Sequence, residues 1–133
     1  MSQLEQNKDI PRLISQGLDT VRKSRSVNPF FGITNERAGI PENAIALKFI
    51  TATGEQKALH YHDIISPLDY DGVEKITLST VGMKVTIAGN FLEELFDYIL
   101  EHRVKWITEP QTSFEEIEEG KPRITGITFE TLL

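Results

Sequence analysis

The chain has 133 residues, no cysteine and a formal net charge of −6. This length suits one domain with a real hydrophobic core, and a 39% hydrophobic content is ordinary for a globular protein. Without cysteine there are no disulfides, thiolate metal sites or cysteine nucleophiles, and the acidic charge argues against a broad surface for nucleic acid or anionic membrane.

The sequence also lacks the usual signs of membrane targeting. No apolar run approaches the ~20 residues that a membrane-spanning helix needs. The first ten residues carry no apolar signal-peptide core. We therefore expect a cytoplasmic protein.

Residues 1–25 are predicted to form an N-terminal helix. Apolar residues recur at helical spacing, and they are Leu4, Ile10, Leu13, Ile14, Leu18 and Val21. Asp9 is a suitable cap, with Pro11 in the first turn, where a missing N–H costs little. The helix would end in the basic run 22–25, which suits the negative end of the helix dipole.

Residues 26–43 are rich in Pro, Gly and Asn and are predicted to connect this helix to the rest of the domain. Phe30 and Phe31 are adjacent in this segment. Two interpretations stay open, since such a pair can either close the edge of a core or form an exposed contact with a partner.

Residues 44–109 are predicted to form a core unit in the order β-β-β-β-α-β. Period-two alternation predicts one hairpin over 45–62 and a second over 76–88, separated by a loop at 66–72. The period then becomes 3.6, which predicts a long amphipathic helix over 91–103, with Asn90 as its cap. A last strand follows over 104–108 and carries the single tryptophan, Trp106.

Residues 110–133 are predicted to be an acidic spacer and a C-terminal strand or arm. Ile127 and Phe129 lie on its apolar side, and such a terminus must be buried against its own domain or a neighbour. The arm can exchange between two copies, so we expect contacts with a protein partner or with itself, as a homo-oligomer.

His60 and His62 are the candidate metal ligands. They lie two residues apart on a predicted strand, so both rings would project from one face. Zinc sites ordinarily need at least three protein ligands, and the third would have to be His102, Asp69, Asp71 or Glu74. Two exposed histidines without a metal are the alternative interpretation.

The sequence therefore predicts an α+β domain. It would contain a mostly antiparallel sheet of five or six strands, or a small open barrel, with the helix near 91–103 and the N-terminal helix. No nucleotide-binding, zinc-protease or serine-hydrolase motif is present. We expect a non-catalytic interaction module without a cofactor. The alternatives are a small-ligand or metal-binding domain that uses His60 and His62, and a hydrolase built from scattered carboxylates.

Overall fold

The computed structural model describes residues 28–110 and 119–132. Of these residues, 52% lie in strands and 11% are helical, so the described protein is mostly β. The predicted α+β class is therefore wrong. The described residues form three sheets and contain one α-helix, whereas the predicted N-terminal helix over 1–25 lies outside them.

Almost all of the described elements are strands, and the one described α-helix lies between the eighth and ninth strands. In order, they are β1 (Phe31–Ile33), β2 (Glu36–Arg37), β3 (Ile40–Pro41), β4 (Ala46–Ile50), β5 (Gln56–His60), a 3-10 turn (Tyr61–Asp63), β6 (Ile65–Tyr70), β7 (Lys75–Ser79), β8 (Met83–Asn90), α1 (Glu93–Leu100), β9 (Val104–Thr108) and β10 (Arg123–Thr131). None of the helices in these ranges is long and apolar enough to cross a bilayer.

The first sheet has four strands in the order β1-β9-β4-β5. β9 runs antiparallel to β1 but parallel to β4, with Ile107 opposite Phe49. β4 and β5 form the predicted hairpin, in which Leu47 lies opposite Leu59. β9, the strand that follows α1, therefore lies in the middle of the first sheet, between β1 and β4. The prediction of one sheet that contains all the strands is wrong.

The second sheet is antiparallel and has the order β10-β8-β7-β6. The predicted loop over 66–72 is mostly the edge strand β6, which contains Pro67. Proline lacks the N–H that an inner strand must donate, but an edge strand tolerates this loss. β2 and β3 form a separate two-stranded hairpin inside the segment that was predicted to be a connection.

Helix α1 has eight residues and is shorter than the predicted helix over 91–103. Phe91 and His102 have positive φ angles of 56° and 58°. This left-handed backbone conformation is incompatible with an α-helix, so it limits the helix on both sides. Asn90 is the last residue of β8 and provides no side-chain cap, since Leu92 is the N-cap residue. Only part of the predicted apolar stripe is in the core, because Phe91 and Leu100 are more than half exposed.

Both sheets and α1 share one hydrophobic core. On the strands its fully buried residues follow the alternation of the pleat, and they include Leu47, Phe49, Ile76, Leu78, Val85, Ile87, Ile107 and Ile124. Leu92, Leu95 and Ile99 are the fully buried residues contributed by α1 and its N-cap. Complete burial of one such side chain contributes roughly 1.5–3 kcal/mol before conformational entropy is subtracted. The core therefore fixes the orientation of α1 against the sheets.

Arg103 is buried just beyond the helix and ties it to the first strand. Its guanidinium donates to the Thr34 carbonyl at 2.9 Å and lies 5.2 Å from the centre of the Tyr98 ring. The prediction that Arg103 belongs to the last helical turn is therefore wrong. The residue instead packs between α1 and the end of β1.

Candidate functional site

An open groove lies where β8 passes into α1. We call it the Phe91 groove, and its volume is about 730 Å³. One wall is the β6–β7 turn, the second is the start of α1, and the third is the chain that leads into β10. Its lining residues are Tyr70, Gly72, Val73, Asn90, Phe91, Glu93, Glu94, Asp97, Gly120 and Pro122.

Phe91 is the unusual residue of this groove. Its φ of 56° lies in the left-handed region, where a bulky L-residue is strained by roughly 1–2 kcal/mol. Its side chain is 59% exposed, so core packing offsets little of this strain. Glycine would satisfy the same turn without strain. An exposed aromatic ring at such a position suggests a function other than folding.

Val73 provides a second exposed apolar side chain at the groove, with 69% of its surface accessible. The turn that carries it is held by Asp71, whose Oδ1 accepts the N–H groups of Val73 and Glu74, both at 2.8 Å. These backbone hydrogen bonds lower the pKa of Asp71. The position of Val73 is thus fixed by a well-satisfied turn.

The charges of the groove are all negative among the described residues that line it. Glu93 and Glu94 lie in the first turn of α1 and Asp97 follows one turn later. Burial, together with the nearby Glu94 carboxylate, raises the pKa of Tyr98, and the phenol hydroxyl lies 3.4 Å from Glu94 Oε2. The groove therefore combines apolar contact surface with an acidic side.

The structure places His60 and His62 close together on the surface. His60 ends β5 and His62 lies in the 3-10 turn, and their ring centroids are 5.6 Å apart. His62 Nε2 is 3.4 Å from Asp63 Oδ1. His102 is stacked on Tyr61 instead, with 4.5 Å between the ring centroids. Within 28–110 and 119–132, no three His, Asp or Glu side chains form a group that could hold a metal.

The four predicted interaction residues all contribute to the core. Phe30, Phe31 and Ile127 are buried, with at most 8% of their surface accessible. Phe129 is half-buried and packs edge-on against Phe49, with 5.9 Å between the ring centroids. Nothing tests whether these residues also contact a partner, so that role stays a prediction.

The Phe91 groove was missed because it combines residues that are distant in sequence. Val73, Phe91 and Pro122 come from three connections, and no local pattern links them. One local signal was present, since Phe91 directly follows Gly89-Asn90, where the strand periodicity ends. The apolar residue was assigned to the helix stripe, although a residue before the helix need not share its buried face.

No protein-family model, curated protein or solved structure matches this chain. Any function must therefore be inferred from the chemistry of its own surface.

Proposed function

We propose that this protein is a non-catalytic interaction module, and that the Phe91 groove binds a basic protein segment that carries apolar side chains. The observation that carries the proposal is the exposed, left-handed Phe91 at the edge of an acidic groove. Aromatic side chains are favoured anchors at protein interfaces because they bury a large area.

The charge of the groove defines the kind of partner. Three carboxylates line it, and no described lining residue is basic. A lysine- or arginine-containing segment would meet complementary charge there, which raises the association rate and orients the ligand. Its apolar side chains would cover Phe91 and Val73, both of which are mostly exposed in the free protein.

Fluorescence anisotropy of a labelled peptide of leucine and lysine tests this proposal, with a leucine–glutamate peptide of equal length as the control. We expect the basic peptide to bind the full chain, and binding should weaken as salt is added. Phe91→Gly should weaken binding at least tenfold. The same change should leave the free energy of unfolding unchanged or raise it by about 1 kcal/mol, because it relieves the strain at φ 56°.

Ala38→Gly is the matched control, since Ala38 also has a φ of 56° but lies in the exposed β2–β3 turn. It should relieve similar strain and leave peptide affinity unchanged. Equal affinities of wild type and Phe91→Gly would sink the proposal, as would equal binding of the two peptides.

Self-association is a second proposal, supported by a smaller apolar surface. Val81 and Leu132 are 79% and 45% exposed, and they lie close together because the Leu132 N–H donates to the Gly82 carbonyl at 3.0 Å. β10 pairs along its length with β8 of its own chain, so a homo-oligomer does not need strand exchange. Sedimentation of the full chain against Val81→Lys is the test, and a monomeric wild type at tens of micromolar would contradict it.

A further inference from the structure

Two carboxylates of α1 line the Phe91 groove from successive turns of the helix. They belong to Glu93 and Asp97, which lie four residues apart and are both exposed. Residues with this spacing are neighbours on one face of a helix, with roughly 5–6 Å between their Cβ atoms. A single ligand group that enters the groove at this point therefore meets both carboxylates.

Folding alone does not explain this pair of charges. Within residues 28–110 and 119–132, no lysine, arginine or histidine forms an ion pair with Glu93 or Asp97. Like charges four residues apart destabilise a helix. The positive end of the helix dipole stabilises Glu93 in the first turn, but this effect falls off before Asp97. The two carboxylates are thus a negative site that no described cation neutralises.

Two aromatic side chains line the same groove. Phe91 is 59% exposed and lies two residues before Glu93 in the chain. Tyr70 packs its ring against Phe96, with 5.6 Å between the ring centroids, so its position is fixed by the protein itself. The face of an aromatic ring attracts cations because it carries the negative part of the ring quadrupole. The groove therefore offers ring faces as well as carboxylates to a bound cation.

We propose that the Phe91 groove selects arginine over lysine in its partner. One guanidinium lies on the Phe91 ring and donates hydrogen bonds to the carboxylates of Glu93 and Asp97. This inference rests on the proposed function, since it names the side chain that the same groove recognises. It is carried by the exposed ring together with the two neighbouring carboxylates that no described cation neutralises.

The shape of the guanidinium explains the preference for arginine. The group is planar and weakly hydrated, and its N–H donors form a fixed fork, so it stacks on a ring and donates to two acceptors at once. The lysine ammonium is compact and strongly hydrated. Lysine therefore keeps the attraction to the carboxylates but loses both the stacking and the fork.

Fluorescence anisotropy with a series of labelled peptides on the full chain tests the selection. The peptides share one length and one leucine pattern, and their polar positions carry lysine, arginine, symmetric dimethylarginine or citrulline. Dimethylarginine keeps the charge but blocks the fork, whereas citrulline keeps the planar shape without the charge. We expect the arginine peptide to bind about tenfold more tightly than the lysine and dimethylarginine peptides, and the citrulline peptide to bind most weakly. Equal binding of arginine and dimethylarginine would overturn the forked contact.

Substitutions in the protein test the residues that are assigned to the guanidinium. Glu93→Gln with Asp97→Asn should reduce the advantage of arginine over lysine to less than about twofold. Phe91→Leu keeps an apolar side chain but removes the ring face, and it should reduce the advantage in part. Glu55→Gln with Glu130→Gln is the control, because it removes the same charge outside the groove lining and should keep the full advantage. All four carboxylates are exposed, and a melting curve verifies that each variant folds.

The arginine selection and the proposed function fail in different ways. If the lysine and arginine peptides bind equally and both depend on Phe91, the selection is wrong and the proposed function stands. If neither basic peptide binds, the proposed function is wrong and the selection fails with it. An arginine advantage that survives Glu93→Gln with Asp97→Asn, or one that the control substitutions remove, would show that these two carboxylates do not hold the guanidinium.

Discussion

The carboxylate of Glu109 accepts a hydrogen bond from the backbone N–H of Ile127, with 2.8 Å between Oε2 and the nitrogen. Its other oxygen, Oε1, accepts the N–H of Ala52 at 2.7 Å. Ala52 lies in the turn after β4 of the first sheet, whereas Ile127 belongs to β10 of the second. One side chain thus joins the two sheets, next to the irregular register of β10 between Ile124 and Gly126.

We expect Glu109→Ala to lower the free energy of unfolding by about 1–3 kcal/mol, because both N–H groups lose a charged acceptor. Glu109→Gln keeps one acceptor oxygen and should cost roughly half as much. Denaturant melts measure both. Glu130→Ala is the control, since its exposed carboxylate lies 3.8 Å from Lys84 Nζ and should contribute less than ~0.5 kcal/mol. Equal costs for Glu109→Ala and Glu130→Ala would contradict the bridging role.

Trp106 covers Gly32 on the neighbouring strand β1. A Cβ atom at position 32 would lie 2.6 Å from Trp106 Cε2, which is far inside van der Waals contact. An aromatic ring laid over a strand glycine shields backbone that has no side chain of its own. The pairing explains why a glycine is suitable in this short edge strand.

We therefore expect Gly32→Ala to destabilise the protein by about 1–3 kcal/mol, the usual cost of overpacking. It should also shift the emission of Trp106, the single tryptophan. Gly126→Ala is the matched control in β10, because the nearest atom to its Cβ would be 3.9 Å away, an ordinary contact. That variant should be close to neutral and leave the emission unchanged. An unaltered emission spectrum in Gly32→Ala would argue against the contact.

The sequence predicts a strand correctly where one face of that strand is buried, because burial of one face produces alternating apolar and polar residues. Ile76, Leu78, Val85 and Ile87 alternate with polar residues, and all four are fully buried in the β7–β8 hairpin. The helix was overestimated because periodicity counts Phe91 and Leu100, which face water. Amphipathic spacing reports apolar residues, but it does not report where the backbone changes direction.

The arrangement of the sheets and the Phe91 groove could not be predicted in the same way. β9 pairs in parallel with β4, about 60 residues earlier in the chain, and a parallel pair needs no local turn signal. The groove depends on a second long-range pairing, because Arg123 lies opposite Asn90 in the β10–β8 pair and this brings Pro122 beside the start of α1. His60 and His62 do lie close together, but strand alternation is not the reason as predicted, because the strand ends at His60 and His62 lies in the 3-10 turn that follows.

His60 and His62 give a direct test of the metal-binding alternative. Two exposed imidazoles fall short of the three ligands of a typical zinc site. We expect that adding Zn²⁺ or Ni²⁺ does not change the melting temperature of the wild type, and that it does not change the melting temperature of the His60→Ala, His62→Ala variant either. A true site would stabilise the protein by ~2.7 kcal/mol at a free metal concentration of 100 times the dissociation constant. A rise in wild type that chelator and the double substitution both remove would establish a metal site.

Tyr61 should make the stability of the protein fall at alkaline pH. Its hydroxyl donates to the buried Val104 carbonyl at 2.8 Å, which only the protonated phenol can do. Burial raises the pKa of Tyr61 in the folded protein above its ordinary value of 10.0. Because the folded-state pKa is the higher one, this contribution to stability is fully present below pH 10. It is lost as the pH rises from 10 through the folded-state pKa.

Tyr61→Phe removes both the hydrogen bond and the titration. At pH 7 the variant should be less stable than wild type by about 1 kcal/mol. Above pH 10 wild type should lose stability more steeply than the variant, by up to ~1.4 kcal/mol per pH unit, so the difference between them narrows and then reverses. His102→Ala is the control, because it removes the ring stacked on Tyr61 but keeps the hydroxyl, and the alkaline dependence should persist. Denaturant melts between pH 7 and 11 provide the measurement, and parallel curves for wild type and Tyr61→Phe would show that folding does not raise the pKa of this phenol.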